Sequence, residues 1–160
     1  GFDAGDLTPL PPFFTMGEAI GNYLGAVGIR TKLRTMERAA FFTAAREKKL
    51  EGLSLNACGA LGNAATRLET YVLSTGAYAY GGYADIDELF RQQSAERDRG
   101  KREALLHQIQ QLMHERVMHA PIYEPATLHG VGPRVEEPGV GLNALLYFTS
   151  PYEEMRLKRP

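Results

Sequence analysis

A chain of 160 residues, 44% hydrophobic and 23% charged, is long enough for one domain with a buried core and ordinary in composition for a globular fold. A formal net charge of −1 argues against nucleic acid or an anionic membrane surface as partner, and no run approaches the roughly 20 apolar residues of a membrane span. Cys58 is the only cysteine, which excludes an internal disulfide and a cysteine-based zinc site. The chain opens on Gly1, so the lack of a visible leader excludes nothing about a longer parent.

Residues 1–8 can form a strand, and Pro9, Pro11 and Pro12 break it. Ile20, Leu24 and Val27 have helical spacing over 14–27, with Gly28 placed as a cap. Residues 29–36 alternate apolar and polar, as a strand with one solvated face does. A second helix is expected over 37–50, with Ala40, Phe41, Ala44, Ala45 and Leu50 facing inward and Gly52 ending it; Leu53 opens a third strand. Strand–helix–strand–helix–strand with short connections implies two right-handed crossovers and a parallel sheet.

Further on, 64–73 has the pattern of a helix, and 74–82 is a Gly/Tyr/Ala loop with no clear period. Asp85 is placed to cap the next helix, with Glu88 three residues on and Ile86, Leu89 and Phe90 on one face. A mixed-charge break over 96–103 reads as a solvated face. A long amphipathic helix follows, its stripe made of Leu105, Leu106, Ile109, Leu112, Met113 and Val117, all expected to face the core. Pro121 is expected to stop it, with Ile122 and Tyr123 opening a strand that ends at Pro125. Residues 130–141 are rich in Gly and Pro, and no internal repeat is present.

These pieces carry a family likeness. Val27-Gly28-Ile29, Met36-Glu37 and Lys49-Leu50-Glu51-Gly52 mark the first crossovers, and Tyr83, Asp87 and Leu89 the later helix. Arg102, Leu105, Ile109 and Met113, then Pro121-Ile122-Tyr123, then Pro151-Tyr152-Glu153-Glu154 close the series. In order and spacing the chain resembles the extracellular solute-binding proteins of family 5, which serve peptide, nickel and related ABC importers. The resemblance implies an α/β, three-layer lobe of a type II periplasmic-binding-protein-like fold, with helices on both faces of the sheet and the chain forming the C-terminal fragment. Residues 1–130 would be the ligand-binding lobe and 131–160 an extension returning toward the missing lobe. It further implies a periplasmic or extracellular, membrane-associated parent that traps a small solute by lobe closure and delivers it to an ABC permease. Neither a cofactor nor a metal is implied.

The strongest candidate site is the loop leaving the third strand, formed by Asn56, Ala57, Cys58, Gly59, Ala60, Leu61 and Asn63. Ligands of open α/β sheets sit beyond the carboxyl ends of the parallel strands. In peptide-binding members of the resembled family, a tryptophan here lines the cleft and an aspartate pairs with the ligand's ammonium. This chain has Ala57 or Cys58 near the first place and Ala60 near the second. A buried ammonium without a counter-charge is costly, so the usual capture of a peptide amino terminus is not expected. The bland alternative is a strand–helix turn of small residues chosen for close packing. Tyr80, in a cluster with Tyr71, Tyr78 and Tyr83, is a further candidate for lining the cleft, the alternative being that it covers the edge of the core.

Other groups carry less. His107 and His114 share a helix face but lie about 10 Å apart along the axis, too far for one metal ion, and His119 and His129 add no ligand spacing. Gly17, Gly21 and Gly25 form a packing stripe and fail the phosphate-loop pattern. The rival to a binding module is a small α/β hydrolase using Cys58 with a histidine brought close by the fold, a role that requires a lowered thiol pKa. No acid, base and oxyanion signature clusters in the sequence to support it.

Overall fold

The computed structural model of the protein describes residues 1–59, 63–124, 128–139 and 151–158. Two compact units divide the chain: Gly1–Cys58 with Thr66–Asp87, and Gly59–Ala65 with Glu88–Pro160.

The first unit is built on a parallel sheet of β1 (Phe2–Pro9), β2 (Ile29–Leu33) and β3 (Leu53–Leu55), in the order β2–β1–β3. Leu7 of the central strand pairs with Leu33 on one side and Leu53 on the other. Burial rises along β1 from an exposed Phe2 to a buried run from Leu7 to Leu10, so the core sits toward its carboxyl end. The register with β2 shifts between Asp3 and Asp6, where Gly5 takes a φ of +74° that a residue with a Cβ rarely adopts.

Helix α1 (Phe14–Ala26) lies on the face carrying Leu7 and Pro9. A Cβ at Gly17 would stand 3.0 Å from Pro9 and 3.2 Å from Leu33, and one at Gly21 3.3 Å from Thr31. Two glycines of the stripe therefore let helix and sheet approach, whereas Gly25 has open space around it. Helix α2 (Arg38–Arg46) puts Phe41 and Ala45 into a cluster with Leu10 and Leu50, joined by Phe13, Met36, Phe42, Ala44 and Tyr78. The chain steps from β1 outward to β2, then back across to β3. Right-handed crossovers in opposite directions put α1 and α2 on opposite faces of the sheet. The α/β, three-layer architecture read from the sequence is the one observed.

The ends of α2 differ from expectation. Glu37 precedes the helix and caps it, its carboxylate accepting from the N–H groups of Ala39 at 2.8 Å and Ala40 at 3.3 Å. Ala40 is exposed, not inward-facing. The helix stops at Arg46, well before Gly52, because Lys48 turns left-handed (φ +57°) and the N–H of Lys49 bonds to the Ala44 carbonyl.

Helix α3 (Ala64–Tyr71) and helix α4 (Ala84–Ala95) follow. The helix α4 starts one residue before Asp85, whose carboxylate accepts from the next N–H, of Ile86, and so does not stand at the capping position. Asp87 instead reaches back to accept from the Ser74 N–H at 3.0 Å and from its hydroxyl. Ile86 is fully buried, while Leu89 and Phe90 are half-buried.

In the second unit, α5 (Arg99–Glu115) is capped by Asp98, which accepts from the Lys101 N–H at 2.9 Å. Ile109 is fully buried, and Leu105, Leu106, Leu112 and Met113 are half-buried. Val117 is not core-facing: it is 77% exposed with φ +50°, in a left-handed turn where the Met118 N–H bonds to the Met113 carbonyl. That turn ends α5 four residues ahead of the helix-breaking Pro121. Ile122 and Tyr123 are exposed and form no strand; Pro125 lies outside the described residues. Gln93 is fully buried, its side-chain oxygen accepting from Arg102 Nε at 3.2 Å and its amide donating to Ser94 Oγ at 2.8 Å. Strands β4 (Val135–Glu137) and β5 (Arg156–Leu157) pair antiparallel.

Candidate functional site

In the order β2–β1–β3 the chain leaves β1 for β2 on one side and then returns past β1 to β3 on the other, so the carboxyl ends of β1 and β3 flank a topological switch point. The Leu10 N–H donates to the Leu55 carbonyl at 2.8 Å, closing this pair of strands, and Asn56 is the next residue out. The candidate loop thus leaves the sheet at the switch point.

Asn56 is half-buried, its side-chain oxygen accepting from the Ala57 N–H at 2.8 Å, and its amide is within hydrogen-bonding reach of the Tyr71 phenol. Ala57 and Cys58 are exposed and Gly59 is half-buried; Ala60 and Leu61 lie outside the described residues. Asn63 accepts from the Ala65 N–H at 3.0 Å, the bond of a residue capping α3. Tyr80 is turned to a different task. Its hydroxyl accepts from the Leu50 N–H at 3.1 Å and donates to the Ala44 carbonyl at 3.5 Å, tying loop 74–82 to the end of α2. Asn56, Cys58 and Tyr71 are brought together, whereas the Tyr80 hydroxyl is engaged at Leu50 and Ala44.

Tyr71 is the residue that sequence reasoning passed over: of the four clustered tyrosines it singled out Tyr80. Its ring stacks on Tyr78 at 5.4 Å, Tyr78 meets Phe42 at 5.9 Å, and three guanidinium groups lie against these rings: Arg67 on Tyr71, Arg46 on Tyr78 and Arg38 on Phe42. Its position, closing the helix that follows the candidate loop, was the available signal. Burial pushes the Tyr71 phenol up from its ordinary value, and the neighbouring Cys58 adds to this, while Arg67 and Asn56 pull it down. Cys58 is exposed as a residue, yet neighbouring atoms crowd the sulfur enough that desolvation pushes the thiol up, with Arg67 partly opposing. That direction favours the protonated thiol, the opposite of what a nucleophile needs.

In the second unit a shallow depression of about 350 Å³ lies between Asn63, Ala64 and the α5 residues Arg99, Arg102 and Leu106. Arg99 is paired with Glu103 at 2.8 Å and Arg102 with Gln93, so both cations already have partners there. Among the described residues no helix is long and apolar enough to cross a membrane.

No protein-family model and no curated protein matches the chain. Solved structures do. OppA of Burkholderia pseudomallei superposes with a TM-score of 0.71 at 18% identity, covering 99% of this chain and 31% of its own. The ABC transporter-associated periplasmic binding protein DppA of Helicobacter pylori, solved with the peptide STSA, gives 0.64 at 16% identity over 74% of this chain and 24% of its own. A nickel ABC transporter structure from Bacillus halodurans gives 0.62 at 17% identity over 74% and 26%. The chain has the fold of part of a periplasmic binding protein. It spans roughly a quarter to a third of these structures' lengths.

Proposed function

We propose that the chain is the C-terminal portion of a family 5 solute receptor of an ABC importer, contributing one wall of a cleft that closes on a small solute and presents it to a membrane permease. The observation that carries this reading is the agreement of nearly the whole chain with the fold of OppA, together with a candidate loop that leaves the sheet at its switch point. The parent would work in the periplasm or outside the cell, and the loop from Asn56 through Ala57, Cys58, Gly59, Ala60 and Leu61 to Asn63 would face the solute. The aspartate that would hold an amine is replaced by Ala60, so the solute is not gripped by a peptide ammonium at that point. The hydrolase alternative is disfavoured by the raised Cys58 thiol.

Affinity in such receptors comes from burying the solute between two surfaces, so one wall alone binds weakly. Calorimetry compares the 160-residue chain with the longer protein that carries it, and mass spectrometry identifies the small molecule that co-purifies with the latter from its native host. The expected result is a bound solute and tight binding in the longer protein only. Micromolar or better binding by the chain alone, or no solute in the longer protein, overturns the proposal.

A further inference from the structure

Residues 119–124, which follow the turn that ends α5, lack partners in both main chain and side chains. Among the described residues no backbone hydrogen bond begins or ends there. The last before them runs from the Met118 N–H to the Met113 carbonyl, and the next from the Val135 N–H to the Gly132 carbonyl. Ile122 is 55% exposed and Tyr123 57%, and beyond the undescribed residues Leu128 is 92% exposed. Neither sheet of the described residues, β2–β1–β3 or β4–β5, takes the stretch up.

The composition is nevertheless that of a strand. Pro121 has no N–H and is tolerated where a strand opens, and Ile122 and Tyr123 are strong strand formers. What is missing is a ladder. Bare amide and carbonyl groups flanked by exposed apolar side chains invite pairing with any sheet edge they meet, a liability that folded proteins cover. Between Pro121 and Pro125 only Ile122, Tyr123 and Glu124 have N–H groups to offer. So short a stretch, paired with one other strand alone, is at best marginally stable in water, and it needs a sheet that already exists. This argues against a second copy of the same bare stretch as its occupant. The superposition with OppA takes in 99% of this chain but only 31% of OppA, which leaves most of the length of such a protein to supply the sheet.

We infer that residues 121–124 dock by strand addition onto a preformed β-sheet in the remainder of the longer protein, burying Ile122 and Tyr123 there. The inference rests on the receptor reading above and deepens it by naming the surface through which this chain joins the rest of the receptor.

Hydrogen exchange, read by mass spectrometry on peptides covering 119–124, compares the 160-residue chain with the longer protein that carries it. The amides of Ile122 and Tyr123 should exchange at the rate of unprotected amides in the chain alone, and about a hundredfold more slowly in the longer protein. Two variants, Ile122→Asp and Tyr123→Asp, add a second reading, because neighbouring residues of a strand face opposite sides of its sheet. Both should leave the urea midpoint of the chain unchanged, since these side chains are exposed in it. At least one should lower the midpoint of the longer protein, and a variant that folds as the chain but not within the longer protein counts as the same result. Rapid exchange in both proteins overturns the inference, as does a longer protein whose midpoint neither variant moves. Slow exchange in the chain alone, with a dimer seen by sedimentation, makes a second copy the occupant and overturns it too. The receptor reading is judged separately by the co-purified solute. A solute recovered with rapid exchange at 121–124 sinks only the docking, whereas protection in a protein that carries no solute sinks only the receptor.

Discussion

The Lys48 ammonium lies 5.4 Å from the centre of the Tyr80 ring while donating to the carbonyls of Gly76, Ala77 and Ala79 at 3.0, 2.9 and 2.7 Å. The same tyrosine binds the Leu50 N–H and the Ala44 carbonyl, so lysine and tyrosine together lash loop 74–82 to the end of α2. Lys48 also holds the left-handed position of the helix-terminating turn, at a conformational cost of roughly 1 kcal/mol. Lys48→Met should therefore destabilise the protein by about 2 kcal/mol, since three carbonyls lose a charged donor. Lys48→Gly loses the same donor but relieves the turn, and should cost about 1 kcal/mol less. Urea unfolding of both variants gives the comparison, and equal losses would show that the backbone of the turn is unstrained.

Gly52 is the position where a side chain is least tolerable. It has φ +71°, and a Cβ there would stand 2.6 Å from the Ala4 carbonyl oxygen and 2.8 Å from the Asp6 nitrogen of the central strand. These are backbone atoms of β1, which cannot yield without breaking the ladder to β2 or β3. Gly52→Ala should cost about 3 kcal/mol or more, read as a lowered urea midpoint or as loss of soluble protein. Gly25→Ala is the matched control. Nothing lies near its Cβ, and helix propensity alone should make it stabilising by up to about 1 kcal/mol.

The sheet and its crossovers were legible because β2 alternates, α1 and α2 carry helical spacing, and Gly28 and Gly52 mark their connections. β3 opens at Leu53, where the sequence placed its start. The helix ends were not legible for one shared reason. Sequence rules look for Gly or Pro as stops, here Gly52 and Pro121, whereas the chain stops α2 with Lys48 and α5 with Val117 in the left-handed conformation. Loop 74–82 showed no period because its order comes from Lys48 and Tyr80 contacts some 30 residues apart in sequence. At the site, the exit from β3 could be placed by topology alone, but the pairing of Tyr71 with Asn56 could not, since it joins the end of a helix to a loop on the other side of the undescribed residues. Ile122 and Tyr123 looked like a strand by composition and form none, because extended residues need a ladder partner as well as β-propensity.

Val117 offers a gain instead of a loss. A β-branched residue at φ +50° is a rare and costly conformation, and the side chain is 77% exposed, so it buries little in return. Val117→Gly should stabilise by about 1 kcal/mol, and Val117→Asn by somewhat less. Thermal unfolding tests both; no gain in either would mean that the turn after α5 adopts another conformation in solution.

Cys58 separates a binding wall from an enzyme by its titration. Desolvation raises the thiol pKa in the folded chain and Arg67 opposes it, so the net direction is up. Only the thiolate reacts with iodoacetamide. The pH–rate curve for alkylation in the folded chain should therefore be displaced to higher pH than that of the urea-unfolded chain, with slower reaction at neutral pH despite the exposure of the residue. Removing the Arg67 charge by Arg67→Gln takes away the one influence that favours the thiolate, so it should push the curve further up and slow the reaction again. A folded-state curve displaced downward would instead mean an activated thiol. In that case the alternative of a cysteine hydrolase would regain its force, because a lowered pKa is the one property that chemistry demands and that this neighbourhood works against.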